Sequence, residues 1–337
     1  MRMKSRRRAG VAAVLGSVVS LILAVIDPAL FAQGYLAAFV LVSMVPIGSL
    51  ILLLAGGLTS GDWTAELGPV LVRSARALPL LPLAFLPVIP LRPLIYPWPG
   101  DGTPGDVAQL YLNPTFFAAR TLLGLLVLSF LAWRNVWKRQ ASCAIGLVVA
   151  AVILSLLPAD WVLTLRPRAT SAAFGLGFAI EQLLAALGFC AVLAPQARSV
   201  RANADLAGLI LAAILGTVYF GYMQFLITWY GNIPDKVHWY ALRTAAPWPW
   251  LALGGFVVGA ALPLLATLAP RIRHHAAGMR VVGGLVLTGT ALHVAWLVLP
   301  AMVALAVGPT IIAAVTLGLI FVSIEPLLPR GGLAYAA

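Results

Sequence analysis

The sequence predicts an all-α, polytopic integral membrane protein with about ten transmembrane helices, and three observations predict it. Hydrophobic residues make up 62% of the 337 residues and charged residues only 9%, where a soluble domain carries roughly a quarter charged residues. The apolar residues fall into runs of about 17–25, the length that carries a helix across the hydrocarbon of a bilayer. The basic residues gather in the segments between those runs. The net charge of +12 therefore forms no single basic face or stripe, and no nucleic-acid partner is expected. The lipid bilayer is the partner the composition demands, and residues 1–337 read as a single membrane domain.

In chain order the runs are 9–26, 35–58, 69–91, 115–133, 141–157, 170–193, 205–229, 248–269, 281–300 and 303–324. The first follows a basic stretch, Met1 to Arg8. It is expected to remain as the first helix, being long for a signal h-region, and Leu30-Phe31-Ala32 makes a poor cleavage site. The third contains Pro69, Pro79, Pro82, Pro87 and Pro90, so a kink is expected, with neighbouring helices satisfying the freed carbonyls. The fourth carries Arg120, the sixth Glu181, the seventh Tyr222 and Gln224, and the ninth His293. Cys143 and Cys190 lie inside apolar runs and show no CxxC, CxxCH or ferredoxin-like spacing. No covalent haem, iron–sulfur cluster or metal site is expected in this chain, and no disulfide framework is implied.

Lysines and arginines orient the spans. With the N-terminus cytoplasmic, inner segments hold 16 of the 22 and outer segments 5, Arg120 being intramembrane. That bias places both termini in the cytoplasm. Most of the ten tryptophans fall at span ends or in loops, as an interfacial belt requires.

On this orientation polar and aromatic residues collect on the outer face. The richest stretch runs from Trp229 through Asn232, Pro234, Asp235 and His238 to Trp239 and Tyr240. It reads as a reentrant or interfacial loop closing over the bundle, with Asn232 and Pro234 setting a turn. Solvated loop charges and an ordinary aromatic belt are the simpler alternative. Glu181, near the middle of its span, is the sharpest intramembrane feature. An ionised acid there costs about 2.5–3.5 kcal/mol on insertion scales. It is either a proton-accepting group or a neutral packing residue. Arg120 lies about 7.5 Å inside its span, shallow enough to snorkel. His293 and Tyr222 lie about 10 Å deep and Gln224 about 7 Å. By depth alone Arg120, Gln224, Tyr222, His293 and Glu181 form a descending polar set, suited to an outer half-channel or a quinone-headgroup pocket. The inner half offers mainly hydroxyls (Ser43, Ser49, Thr288) and no second buried carboxylate.

Several stretches, taken in order, resemble one family. They are Tyr96-Pro97-Trp98, Tyr111-Leu112-Asn113 with Phe116, Phe117 and Arg120, Asp160-Trp161 with Leu165, the run from Tyr222 to Pro234, Trp239-Tyr240 with Arg243, and Trp296 to Pro300. Across residues 95–300 the chain resembles the NrfD-like polytopic subunits of bacterial alternative complex III, a quinol:electron-acceptor oxidoreductase, and most of all the ActF-type subunit. After Ile233-Pro234 this chain has Asp235-Lys236 where the family usually has two acidic residues. The resemblance implies two four-helix bundles plus flanking helices in a bacterial inner (cytoplasmic) membrane. It implies quinone or quinol as the small molecule bound, periplasmic iron–sulfur and haem subunits as partners, and a role in quinol binding or proton movement without a redox centre of its own. A stand-alone small-molecule or ion transporter and a structural or assembly factor are the other readings the residues allow.

Overall fold

A hydrocarbon interior offers the backbone no water, so each polar backbone group must find its partner within the protein. The chain meets that demand with helices alone, and no strand occurs among the described residues. The structure, a computed structural model, describes residues 2–59, 63–98, 110–166, 169, 171–193, 199–232, 234–302 and 306–324, without the side chains of residues 2–7 and 235. Arg168, Arg198 and Arg330, counted above among the outer and inner basic residues, and Ile233 lie outside the described residues, as does the side chain of Asp235.

Among the described residues ten helical segments are long and apolar enough to cross a bilayer, and the chain is a multi-pass membrane protein. They are α1 (Arg2–Ile26), α2 (Pro28–Thr59), α3 (Trp63–Phe85), α4 (Pro114–Trp133), α5 (Gln140–Val162), α6 (Phe174–Leu193), α7 (Val200–Gly231), α8 (Trp248–Leu268), α9 (Ala276–Val298) and α10 (Val307–Ile324). The expected kink in α3 is a break. Trp63–Ala75 is followed by a 3₁₀ turn, Leu78–Leu80, and a short helix, Leu81–Phe85, because Pro79 and Pro82 donate no N–H to the preceding turn. A further helix, Val88–Ile95, follows.

Several helices outrun the sequence boundaries, α2 for example beginning at Pro28 rather than 35, and two of them bear on the site. α5 continues past residue 157 through Pro158 and Asp160 to Val162, and the buried charge that ended the apolar run is paired, as described below. α7 has 32 residues, about 48 Å at 1.5 Å per residue, so it stands proud of a hydrocarbon core of about 30 Å. Its polar first turn, with Arg201 and Asn203, extends it beyond the predicted 205–229. Asn232 ends it in the left-handed conformation (φ 42°), its N–H reaching the Thr228 carbonyl at 3.1 Å. Pro234 then opens a short helix, Pro234–Ala241, where the sequence reading expects a loop.

The helices pack as two four-helix groups. α2, α3, α4 and α5 form the first, and α6, α7, α8 and α9 the second, joined chiefly through α2 and α5 against α6. α10 lies on the outer side of α2, and α1 on α10. Burial follows this order: 78% of the apolar window of α2 is buried, against 6% for α1. With no hydrophobic effect between helices in lipid, close packing of small residues is the main attraction. Gly48 of α2 lies so near the Gln182 carbonyl of α6 that a Cβ would sit 1.9 Å from it.

One end of the molecule is aromatic. In the first group it is filled by a plug in which Phe39, Phe85, Phe117, Trp161, Tyr96 and Trp98 meet at ring separations of 5.2–6.2 Å. The Tyr96 hydroxyl donates to the Trp161 carbonyl at 3.1 Å. Burial holds that phenol well above its ordinary pKa.

Candidate functional site

The second group is hollow where the first is plugged. A cavity of 1010 Å³ lies at its aromatic end, bounded by α6, α7, α8, α9 and the short helix Pro234–Ala241. Glycine makes the room and sets the walls. Gly255 of α8 lies against the backbone of His293, and a Cβ on Gly289 of α9 would sit 2.0 Å from the Gly259 Cα. α8 widens at this contact into a π turn, Val257–Ala261. Pro263, just beyond it, has no N–H for the carbonyl four residues back, which favours such a bulge.

Four of the five intramembrane residues singled out by sequence line this cavity: Glu181, His293, Tyr222 and Gln224. Glu181 and His293, 112 residues apart, meet directly, with Nδ1 of the imidazole 2.7 Å from Oε1 of the carboxylate. The Glu181 side chain is 4% accessible and that of His293 35%. Because His293 lines the cavity, that accessible third faces its interior. With Nδ1–H donating to the carboxylate, Nε2 is the basic nitrogen. The ring lies nearly parallel to the Trp296 indole, with centroids 5.7 Å apart, as the i, i+3 spacing on one helix face allows. Gln182 points elsewhere, fully buried, with neither amide atom hydrogen-bonded.

Arg120 is not part of this set. It sits in the first group, where Nε and Nη2 bond both oxygens of Asp160 at 2.9 and 3.0 Å and Nη1 reaches the Tyr111 carbonyl at 3.0 Å. Its guanidinium also lies over the rings of Tyr111 (3.9 Å) and Phe116 (4.4 Å). Depth alone grouped Arg120 with the cavity residues, but lateral position separates them. Burial, and then the neighbouring Asp160 carboxylate, pushes the Tyr111 phenol up to about 12.

The outer-stretch candidates divide as well. Trp239 lines the cavity, together with Lys236 and Tyr240, which the sequence reading did not choose as site residues. Trp229 and His238 are exposed, Asn232 caps α7, and Pro234 starts the short helix. Arg243 fixes this helix to the end of α9. It donates to the carbonyls of Trp239 (2.7 Å), Trp296 (3.2 Å) and Leu297 (2.8 Å), and it lies 3.5 Å above the Trp239 ring. Burial, then the charge of Arg166, pushes its pKa down to about 9, so it stays charged at neutral pH. Asp160, Trp296 and Arg243 were not chosen as site residues in the sequence reading. The signals for two of them were present: an acid at the end of one span facing an arginine in the span before, and an aromatic residue three positions after His293.

Among the described residues no group of three or more His, Cys, Asp or Glu side chains converges. No family model matches the chain, and no curated protein matches it either.

Proposed function

We propose that this chain is the quinol-binding, proton-accepting membrane subunit of a quinol-oxidising respiratory complex. In this reading the aromatic end faces the outside of a bacterial inner membrane, and both termini are cytoplasmic. The observation that carries the reading is the Glu181–His293 pair inside an aromatic-lined cavity. Pockets of roughly 300–1,000 Å³ with apolar walls and a few convergent polar groups are typical small-molecule sites. A quinol ring fits that description, and Trp296, Trp239 and Phe178 offer faces for stacking. His293 Nε2 accepts a proton from one quinol hydroxyl while Glu181 holds the ring in the required tautomer and takes up charge as the imidazolium forms. Oxidation to quinone releases two protons and two electrons. The protons leave one after the other through the pair, and an iron–sulfur or haem centre on a partner subunit would take the two electrons. The resemblance of residues 95–300 to the ActF-type subunit supports the same assignment, and the distribution of lysine and arginine supports the orientation.

Stand-alone transport is less well supported. Beyond the cavity Gly188 and Gly283 bring α6 and α9 into backbone contact, which closes the route between those two helices.

Glu181→Gln preserves shape and much of the hydrogen bonding but removes the titration. It is expected to leave abundance in the membrane unchanged and to lower quinol-linked turnover roughly a hundredfold. Glu181→Leu should lose turnover too. Full turnover in both variants, at equal abundance, would remove the pair from the mechanism.

A further inference from the structure

The geometry points to a side door: the cavity is reached from the lipid, between the aromatic-end halves of α7 and α8, and its ligand is a lipid-dissolved molecule whose apolar chain lies in that gap. The quinol reading enters only through the identity of the headgroup.

Two observations carry the route. First, the top of the cavity is covered. Tyr240 meets Phe225 edge-on at 5.7 Å, Trp239 packs on Tyr240 at 4.8 Å and on Trp296 at 5.4 Å, and Arg243 pins the helix that bears Trp239 and Tyr240. Second, the wall is open at the side. α7 packs on α8 mainly through the basic-end piece Leu262–Leu268 and hardly at all through Trp248–Phe256. The flanks of the resulting gap are apolar and exposed: Tyr219, Tyr222 and Phe225 on α7, and Phe256 on α8, line the cavity while facing the surroundings.

Gly221 lies at this gap. It lines the cavity, and a Cβ built on it would meet nothing within 4 Å. The first atom of a side chain can therefore be added there without displacing anything, and helix propensity favours leaving glycine. Gly208, on the same helix, is equally open but does not line the cavity, so it supplies a matched control.

The test uses the full chain, with its co-purifying partners, in liposomes. Two photoreactive probes share one decyl chain: an alkyl diazirine with no headgroup and an azidoquinone. Labelling is read on the cavity-facing part of α9, residues 289–297. Wild type and Gly208→Trp are expected to be labelled by both probes. Gly221→Trp and Gly221→Phe should lose labelling by both while the protein stays at wild-type abundance. Labelling of α9 by the alkyl diazirine in the Gly221 variants at the wild-type level would overturn the side door, as would its failure to reach α9 in wild type. If the alkyl probe reaches α9 and is blocked at Gly221 while the azidoquinone does not label, the door stands and the quinol assignment falls.

Discussion

A buried charge needs a counter-charge or several hydrogen-bond partners, and among the described residues the pairs Arg120–Asp160 and Glu181–His293 sit at different places for different ends. Arg120–Asp160 is bidentate, with Asp160 fully buried and Arg120 also held by a carbonyl and two rings. Removing one partner leaves the other desolvated and unpaired, at about 3–5 kcal/mol. Asp160→Ala should therefore lower the melting temperature in detergent sharply, while the double change Arg120→Met with Asp160→Leu should recover most of it. An unaltered melting temperature in Asp160→Ala would show that the pair is not structural. Glu181–His293, by contrast, faces a cavity, and Glu181→Gln should leave the melting temperature near wild type. The sequence exposes Arg120, Glu181 and His293, because a charge or an imidazole in an apolar run stands out, whereas Asp160 lies past the end of its run. It does not expose who meets whom. The spans are apolar on every side, so no hydrophobic face fixes the rotation of a helix about its axis. Depth can be read from position along a span, and that is why Arg120 was grouped by depth with residues from which it is laterally separated.

At the level of elements, the hollow second group depends on how closely α8 and α9 approach. Gly259 and Gly289 set that distance. Gly289→Val forces the helices apart, and overpacking of this kind costs about 1–3 kcal/mol. Reduced thermal stability together with reduced azidoquinone labelling is the expected outcome. Gly284→Ala, on the same helix and facing open space, should change neither. Equal behaviour of the two variants would contradict the packing account. Helix existence was legible here: all ten apolar runs are helices, because a run of that length has no other stable form in lipid. Helix ends were less so. Asp160, Arg201 and Asn203 lie outside the apolar runs yet inside helices, and the run from Trp229 to Tyr240 looked like a loop because its residues are polar and aromatic. Asn232 and Pro234 did mark its turn, since one tolerates a left-handed backbone and the other starts a helix readily.

For the whole molecule, the count of 16 inner against 5 outer lysines and arginines makes topology a direct prediction. Reporters active only outside the cytoplasm should be silent after Ala337 and active when inserted near Thr244. The reverse pattern would turn the cavity toward the cytoplasm. The grouping of eight helices into two sets of four is not visible in hydropathy, which is blind to neighbours; the resemblance implied it, and the helix contacts have that arrangement. The contrast between a plugged first group and a hollow second one depends on where side chains meet, so only the structure displays it. The central claim is that the hollow group binds a quinone beside Glu181 and His293. The most direct test is to purify the chain in mild detergent, extract its lipids and count quinone per chain. The account predicts stoichiometric quinone in wild type, and none above the bilayer background in a Glu181→Leu, His293→Leu double variant of equal abundance. No stoichiometric quinone in wild type, or the same amount in both proteins, would contradict it.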